Sequence, residues 1–521
     1  MNKHSGSFKS SIDMNKFRLR SFVDKLIDLA EVDIHEEPVS LSDVSKIIES
    51  TSRAVLFKNA GPEQVELIGN VMGKRSRLAA AFNTTEKELV QEFQSRMDSP
   101  QPVIEIKSDE APVHEIILKG KEADLTMLPF HPQHQFDGGT YLSSGIDYTV
   151  DPETGRTNVG CRRLSLRNRH EAGTNVTAPS DLRGIYQASV KRGEKLHVNF
   201  AVGSHPIDFM AAGMRVPADE VTLISTLRGE PVPMVKAVTN EVKIPADAEV
   251  IIEGYLDEKG YCEPEGPFGE YMGYYGPMHM DPVYHVTAIT MRRDALHQTV
   301  LHGCGKILHR AESVNLMALV LESRARIILK SIAIEPVDVC AKLSTGEGQN
   351  LRVSIRKTAP GQAGRVISSL FGALPLLKHI FVVDEDIDVF SDDQFEWAMA
   401  TRFQADKDLI VLSNMLGMPM DPSLGGRPVG SKAGFDMTIP FNSKGSLAWR
   451  PCAAPDIDSK AQYKTVYQAL ESGPMFFVDI MDSVGSKDGR EIALELDELN
   501  NSGLITRLQN GEYSLSGEVT E

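Results

Sequence analysis

The chain is 521 residues long, 41% hydrophobic and 24% charged, with a formal net charge of -17. That length exceeds one ordinary core and predicts several domains. The acidic balance argues against a large nucleic-acid surface, and no window reaches the ~18 apolar residues of a membrane span.

The first twenty residues are polar and lack the apolar core of a secretion signal. Five cysteines (161, 262, 304, 340 and 452) form neither a CxxC pair nor a zinc spacing, so reduced thiols in the cytoplasm are expected. After a loose tail over 1–12, Phe17, Leu19, Phe22, Val23, Leu26, Ile27 and Leu29 mark a helical stripe across 17–30. Residues 32–38 read as extended, 42–49 as helix, and 53–57 as a buried strand before a turn at 59–62. This alternation predicts an α/β domain over 1–128.

Strands dominate 129–310. A pair is expected at 140–150 and 158–166, further strands at 196–202 and 250–256, and a short helix at 206–212. Residues 286–291 and 295–301 read as a hairpin around Arg292, Arg293 and Asp294. Many short strands with few helices point to a barrel or sandwich. From 311 the helical period returns, at 314–321, followed by strands at 381–388 and 408–412, so 311–455 reads as a second α/β domain. The tail, 456–521, reads as two helices and a hairpin. Its second helix carries Glu491, Glu495, Asp497 and Glu498, which favours oligomer packing over DNA binding.

One stretch organises the chemistry. Residues 263–276 place Glu263, Glu265 and Glu270 among glycines, Pro264, Pro267 and aromatics. Glycine permits close backbone approach and proline stiffens the turns, which predicts a shaped loop holding carboxylates at an apolar wall. Desolvation there makes a carboxylic acid a usable proton donor near neutral pH. No GxGxxG follows a strand, and residues 425–432 lack the Lys-Ser/Thr ending of a P-loop. They leave Lys432 and nearby backbone N–H groups as a candidate phosphate contact.

The acidic loop, the run Thr157-Asn158-Val159-Gly160-Cys161-Arg162-Arg163 and the run Ser431-Lys432-Ala433-Gly434-Phe435-Asp436 together resemble the UbiD-type decarboxylases. Further matches are Leu227-Arg228-Gly229-Glu230-Pro231, Val235-Lys236 and residues 242–254, in matching order over about 15–450. The resemblance implies a central split β-barrel that binds prenylated FMN, flanked by two α/β domains, in a homodimer or homohexamer. It implies reversible decarboxylation of aromatic, heteroaromatic or α,β-unsaturated acids, with CO₂ as co-product and the cofactor supplied by a UbiX-type prenyltransferase. No side chain accepts the electrons left by CO₂, so a cofactor sink is expected.

By motif position, Arg163, Glu265 and Glu270 take the family's Glu–Arg–Glu roles, with Glu270 as proton donor and Glu265 holding Arg163. Asn158, Gly160, Cys161, Arg162 and Arg163, the segment Ala212-Gly213-Met214, and Lys432 take the cofactor contacts. The family's metal histidine falls at Asp181 and its metal glutamate at Pro233, which has no ligating side chain. Asn158, Asp181 and Glu230 are therefore the expected ligands of Mn²⁺ or Mg²⁺, with K⁺ alongside. His302, His309 and Arg310 are expected at a second polar group of the substrate. Two other readings are a decarboxylase of an aromatic acyl-CoA, such as a phthaloyl-type thioester, and a non-catalytic flavin-binding subunit of a carboxylase complex.

Overall fold

The structure, a computed structural model, describes residues 12–177, 179–215, 219–302, 311–346, 348–443, 446–458 and 461–517. The chain divides into two compact units, one ending at Thr438 and one beginning at Ile439. The first is a mixed α/β assembly around a closed barrel.

Six antiparallel strands close the barrel in the order Val250–Leu256, Leu196–Val202, Tyr141–Val150, Thr157–Leu166, Glu171–Thr174 and Val283–Met291, which returns to Val250–Leu256. Period-2 alternation sorts their side chains. Leu142, Leu164, Ala172, Phe200, Ile252 and Tyr284, drawn from all six strands, share one buried cluster. Burying each large apolar side chain stabilises by about 1.5–3 kcal/mol. Ile146, Tyr148, Val159 and Ala201 join a different cluster, with the helices Pro206–Gly213 and Glu220–Arg228.

The expected hairpin at 286–301 does not form. Val283–Met291 is already paired with Val250–Leu256 on one side and with Glu171–Thr174 and Ile116–Lys119 on the other, so no free edge remains. His297–Thr299 instead pairs in parallel with Val65–Gly69, as the last strand of a four-stranded sheet with Val32–His35 and Ala54–Ala60. Beyond the barrel, the long helix Glu312–Ser331 leads into a five-stranded mixed sheet, Pro336–Ala341, Asn350–Ile355, His379–Asp384, Val429–Met437 and Leu409–Leu416.

The second unit holds helices Val466–Leu470, Phe477–Val484 and Arg490–Asn501 and a hairpin of Ile505–Arg507 with Tyr513–Leu515, around Ile480, Ile492 and Leu496. Among the described residues, no helix is long and apolar enough to cross a membrane.

Candidate active site

Arg163 lies on the barrel strand Thr157–Leu166. The acidic loop folds back on it as two short antiparallel ladders, Glu263–Glu265 with His279–Asp281 and Phe268–Gly269 with Tyr275–Gly276. The loop reaches the barrel mouth through glycine contacts. Gly138 N–H donates to the Pro267 carbonyl at 2.7 Å, and a Cβ at Gly138 would lie 2.1 Å from the Gly266 oxygen, so no larger residue fits.

Three residues distant in sequence thus converge. Arg163 donates through Nε and Nη2 to both oxygens of Glu265, each at 2.9 Å, and through Nη1 to Glu270 at 2.9 Å. The Phe268 ring supports the guanidinium from its face, 4.3 Å from centroid to Cζ. Burial pulls the Arg163 guanidinium toward neutrality, and the bonds to Glu265 with the charges of Glu265 and Glu270 more than offset that, leaving it above its ordinary range. Tyr141 is pushed up to about 12 by burial and by the Glu265 charge. Three of the five guanidinium N–H groups go to the Glu265 and Glu270 carboxylates.

Asn158 borders a separate cleft of about 490 Å³, shared with Arg156, Asp181, Arg215 and Glu220. Asp181 is set there by helix Asp181–Arg192, whose N-cap Ser180 hydroxyl accepts from Arg183 N. Its carboxylate pairs with Arg215. Sequence reasoning missed Glu220. Its carboxylate accepts Val159 N–H at 2.6 Å and is pushed up to about 7 by burial, with the charges of Asp181 and Asp147 adding. Asp147, also missed, is fully buried, pushed up to about 6 by that burial, and receives the Asn158 carboxamide at 3.4 Å.

Strand alternation divides the rest of that run. Gly160 and Arg162 meet Asp147, whereas Cys161 faces the Phe209 carbonyl and Arg163 the acidic loop. Ala212, Gly213 and Met214 end the helix Pro206–Gly213 against Met317 and are not among the residues lining the Asn158 cleft.

Three other candidate residues have partners within the fold. Glu230 is not among the residues lining that cleft, because its carboxylate pairs with Lys16. Lys432 lies inside the strand Val429–Met437, opposite Leu412, with its ammonium on the Pro375 carbonyl and over the Phe371 ring. Strand pairing engages the backbone from Val429 onward. Burial, with the charges of His134 and Arg163, brings His302 down to about 3, and its ring stands edge-on to Phe268. His309 and Arg310 lie outside the described residues.

A closed six-stranded barrel within a mixed α/β chain, with a carboxylate–guanidinium–carboxylate set at its mouth, defines a recognisable class, and the comparisons name it. Residues 28–97, 104–305 and 314–437 match, in turn, the N-terminal, Rift-related and C-terminal domains of 3-octaprenyl-4-hydroxybenzoate carboxy-lyase. The chain belongs to the UbiD family of carboxy-lyases.

It is 30% identical to anhydromevalonate phosphate decarboxylase of Methanosarcina mazei over 423 residues, which cover 80% of this chain and 95% of that protein. Among solved structures, it resembles the UbiD-class enzyme HmfF from Pelotomaculum thermopropionicum in complex with FMN, with a TM-score of 0.77, 29% identity, and coverage of 84% of this chain and 98% of that one. An evolved dimeric form of HmfF in complex with prFMN matches at a TM-score of 0.74 and 27% identity, covering 85% of this chain and 98% of that one. Vanillic acid decarboxylase of Sedimentibacter hydroxybenzoicus matches at 0.76 and 25%, covering 84% and 96%.

Proposed function

We propose that this chain is a prenylated-FMN-dependent decarboxylase of an aromatic, heteroaromatic or α,β-unsaturated carboxylic acid. The observation that carries this reading is the clamp on Arg163, held by Glu265 and Glu270 at 2.9 Å on each bond. The named activities of its relatives, on anhydromevalonate phosphate and on vanillic acid, support the reaction type. They also span unlike acids, so the substrate is proposed only at the level of its class.

The Asn158 cleft suits a flavin phosphate and its cation. Arg156, Arg215 and the Asn158 carboxamide supply phosphate contacts, and Asp181 and Glu220 supply oxygen ligands for Mn²⁺ or Mg²⁺. When bound, prenylated FMN supplies the electron sink that no side chain provides. Arg163 orients the substrate carboxylate through guanidinium N–H groups that Glu265 and Glu270 do not take. Glu265 fixes Arg163 bidentately, which arginine permits and lysine does not. Glu270, on the remaining edge, gives a proton to the carbon that CO₂ leaves and takes one back from solvent, so each turnover converts one carboxylate and one proton into R–H and CO₂. Reversal uses the same groups.

We further propose that a UbiX-type prenyltransferase supplies the cofactor and that the chain works as a homo-oligomer. The test is CO₂ release from a panel of such acids, by protein co-produced with that prenyltransferase and without it. No release from any acid by flavin-loaded protein would contradict the reading.

A further inference from the structure

Glu265 has neighbours besides Arg163. In the ladder of Glu263–Glu265 with His279–Asp281, Glu265 stands opposite His279 and Glu263 opposite Asp281. His279 and Asp281, two apart on one strand, share a face. His279 Nδ1 lies 2.6 Å from Asp281 Oδ2 and 3.8 Å from Glu265 Oε2.

The surroundings isolate these atoms. The Glu265 and Asp281 side chains are both 0% exposed and His279 is 24% exposed, leaving one approach from solvent. Asp281 Oδ1 is occupied by Val176 N–H at 2.7 Å, and His279 Nε2 faces the Asn175 carboxamide at 3.5 Å. Nδ1 and Oδ2 stand at ion-pair distance, and Nδ1 also faces Glu265 Oε2, so all three atoms meet at one place. An imidazole nitrogen and two buried carboxylate oxygens turned toward a common point are arranged as ligands are. Among the described residues, this is the group whose His, Asp and Glu ligand atoms lie within 4.8 Å of one another.

Charge points the same way. Glu265, Glu270 and Asp281 set three carboxylates against the single guanidinium of Arg163. A buried carboxylate is costly unless a cation or hydrogen bonds offset it, and a divalent cation offsets Glu265 and Asp281 together.

We propose that Glu265, His279 and Asp281 form a binding site for a divalent transition-metal cation. One imidazole nitrogen with two carboxylate oxygens suits Zn²⁺ or Mn²⁺ better than Mg²⁺ or Ca²⁺, which take oxygen ligands. The site shares no residue with the Asn158 cleft. A cation there holds Glu265 from beyond Arg163 and so fixes the arginine; that consequence rests on the reading above, whereas the site itself does not.

The experiment strips the full-length chain with a chelator, adds Zn²⁺ or Mn²⁺, and measures bound metal after gel filtration. Thermal melting is followed in parallel, and Co²⁺ serves as a visible-absorbing probe. Wild type and Asp181→Ala should both retain one equivalent that His279→Ala and Asp281→Asn lose. Zn²⁺ should raise the Tm of wild type and of neither site variant, which separates lost ligation from misfolding. Equal metal content in wild type, His279→Ala and Asp281→Asn, or no metal retained by wild type, would overturn the proposal. Metal content is read without substrate, so the result is independent of the decarboxylase reading.

Discussion

The guanidinium of Arg163 rests 4.3 Å from the centroid of the Phe268 ring. Phe268 belongs to the same loop that supplies Glu265 and Glu270, so one segment holds the arginine by its face and by its edges. Replacing Phe268 with Leu keeps most of the bulk and removes the ring face, an interaction worth about 0.5–2 kcal/mol. kcat for CO₂ release should fall about 2- to 30-fold with flavin retained, by the same free-energy scale. An unchanged kcat would show that the carboxylates alone fix Arg163.

A second prediction concerns Gly269, whose N–H bonds Asp137 at 2.9 Å. A Cβ at this position would lie 2.3 Å from His134 Nδ1. Gly269→Ala should therefore displace the loop or the ring, costing about 1–3 kcal/mol of stability. It should also lower CO₂ release, because Glu270 is the next residue. Denaturant unfolding and steady-state rates check both, and wild-type values for both would contradict the packing described.

Glu312 predicts a pH dependence of stability. Its carboxylate, which accepts Met72 N–H at 2.9 Å, is pushed by burial from 4.5 to about 7. The folded state therefore holds this proton more tightly than the unfolded state. The stability it contributes is complete below about pH 4.5 and lost as pH rises through about 7. Between pH 5 and 8, wild type should lose on the order of 1–3 kcal/mol relative to Glu312→Gln, which has no proton to lose. Parallel curves for the two proteins would refute this.

In the Asn158 cleft, Asp181→Ala should weaken the Mn²⁺ affinity of that cleft in flavin-loaded protein about tenfold or more, the usual size of such losses, leaving the equivalent at His279 and Asp281 in place. Glu230→Ala should leave it unchanged, since Glu230 pairs with Lys16 outside the cleft. The reverse pattern would restore Glu230 as a ligand and remove Asp181.

Much of this was legible in sequence where periodicity is strong. The strands Tyr141–Val150, Thr157–Leu166, Leu196–Val202 and Val250–Leu256 were all expected. Arg163, Glu265 and Glu270 were grouped by motif, although the two glutamates stand 102 and 107 positions from the arginine. Partners set only by tertiary folding were not legible. Glu220 opens the helix Glu220–Arg228, and only packing brings it to Val159. His279 and Asp281 carry a signal in retrospect, their i, i+2 spacing, but the ladder register that places His279 opposite Glu265 is not written in that spacing. The glycine-rich run before Lys432 does not announce the strand Val429–Met437, which pairing with Leu409–Leu416 sets.

The most direct test of the central claim is turnover by Glu270→Gln. The amide has nearly the shape of the acid and keeps an oxygen for Arg163 Nη1, now bonded to Glu270 at 2.9 Å, so packing and flavin binding should survive. It cannot donate a proton to carbon, and loss of general acid catalysis typically costs ~10²–10⁴-fold. Stopped-flow spectra and CO₂ release on an accepted acid should show flavin bound, product formation reduced by at least that range, and an altered flavin absorption as turnover stalls. Wild-type turnover in Glu270→Gln with flavin in place would contradict the assignment of Glu270 and, with it, the account of how this site works.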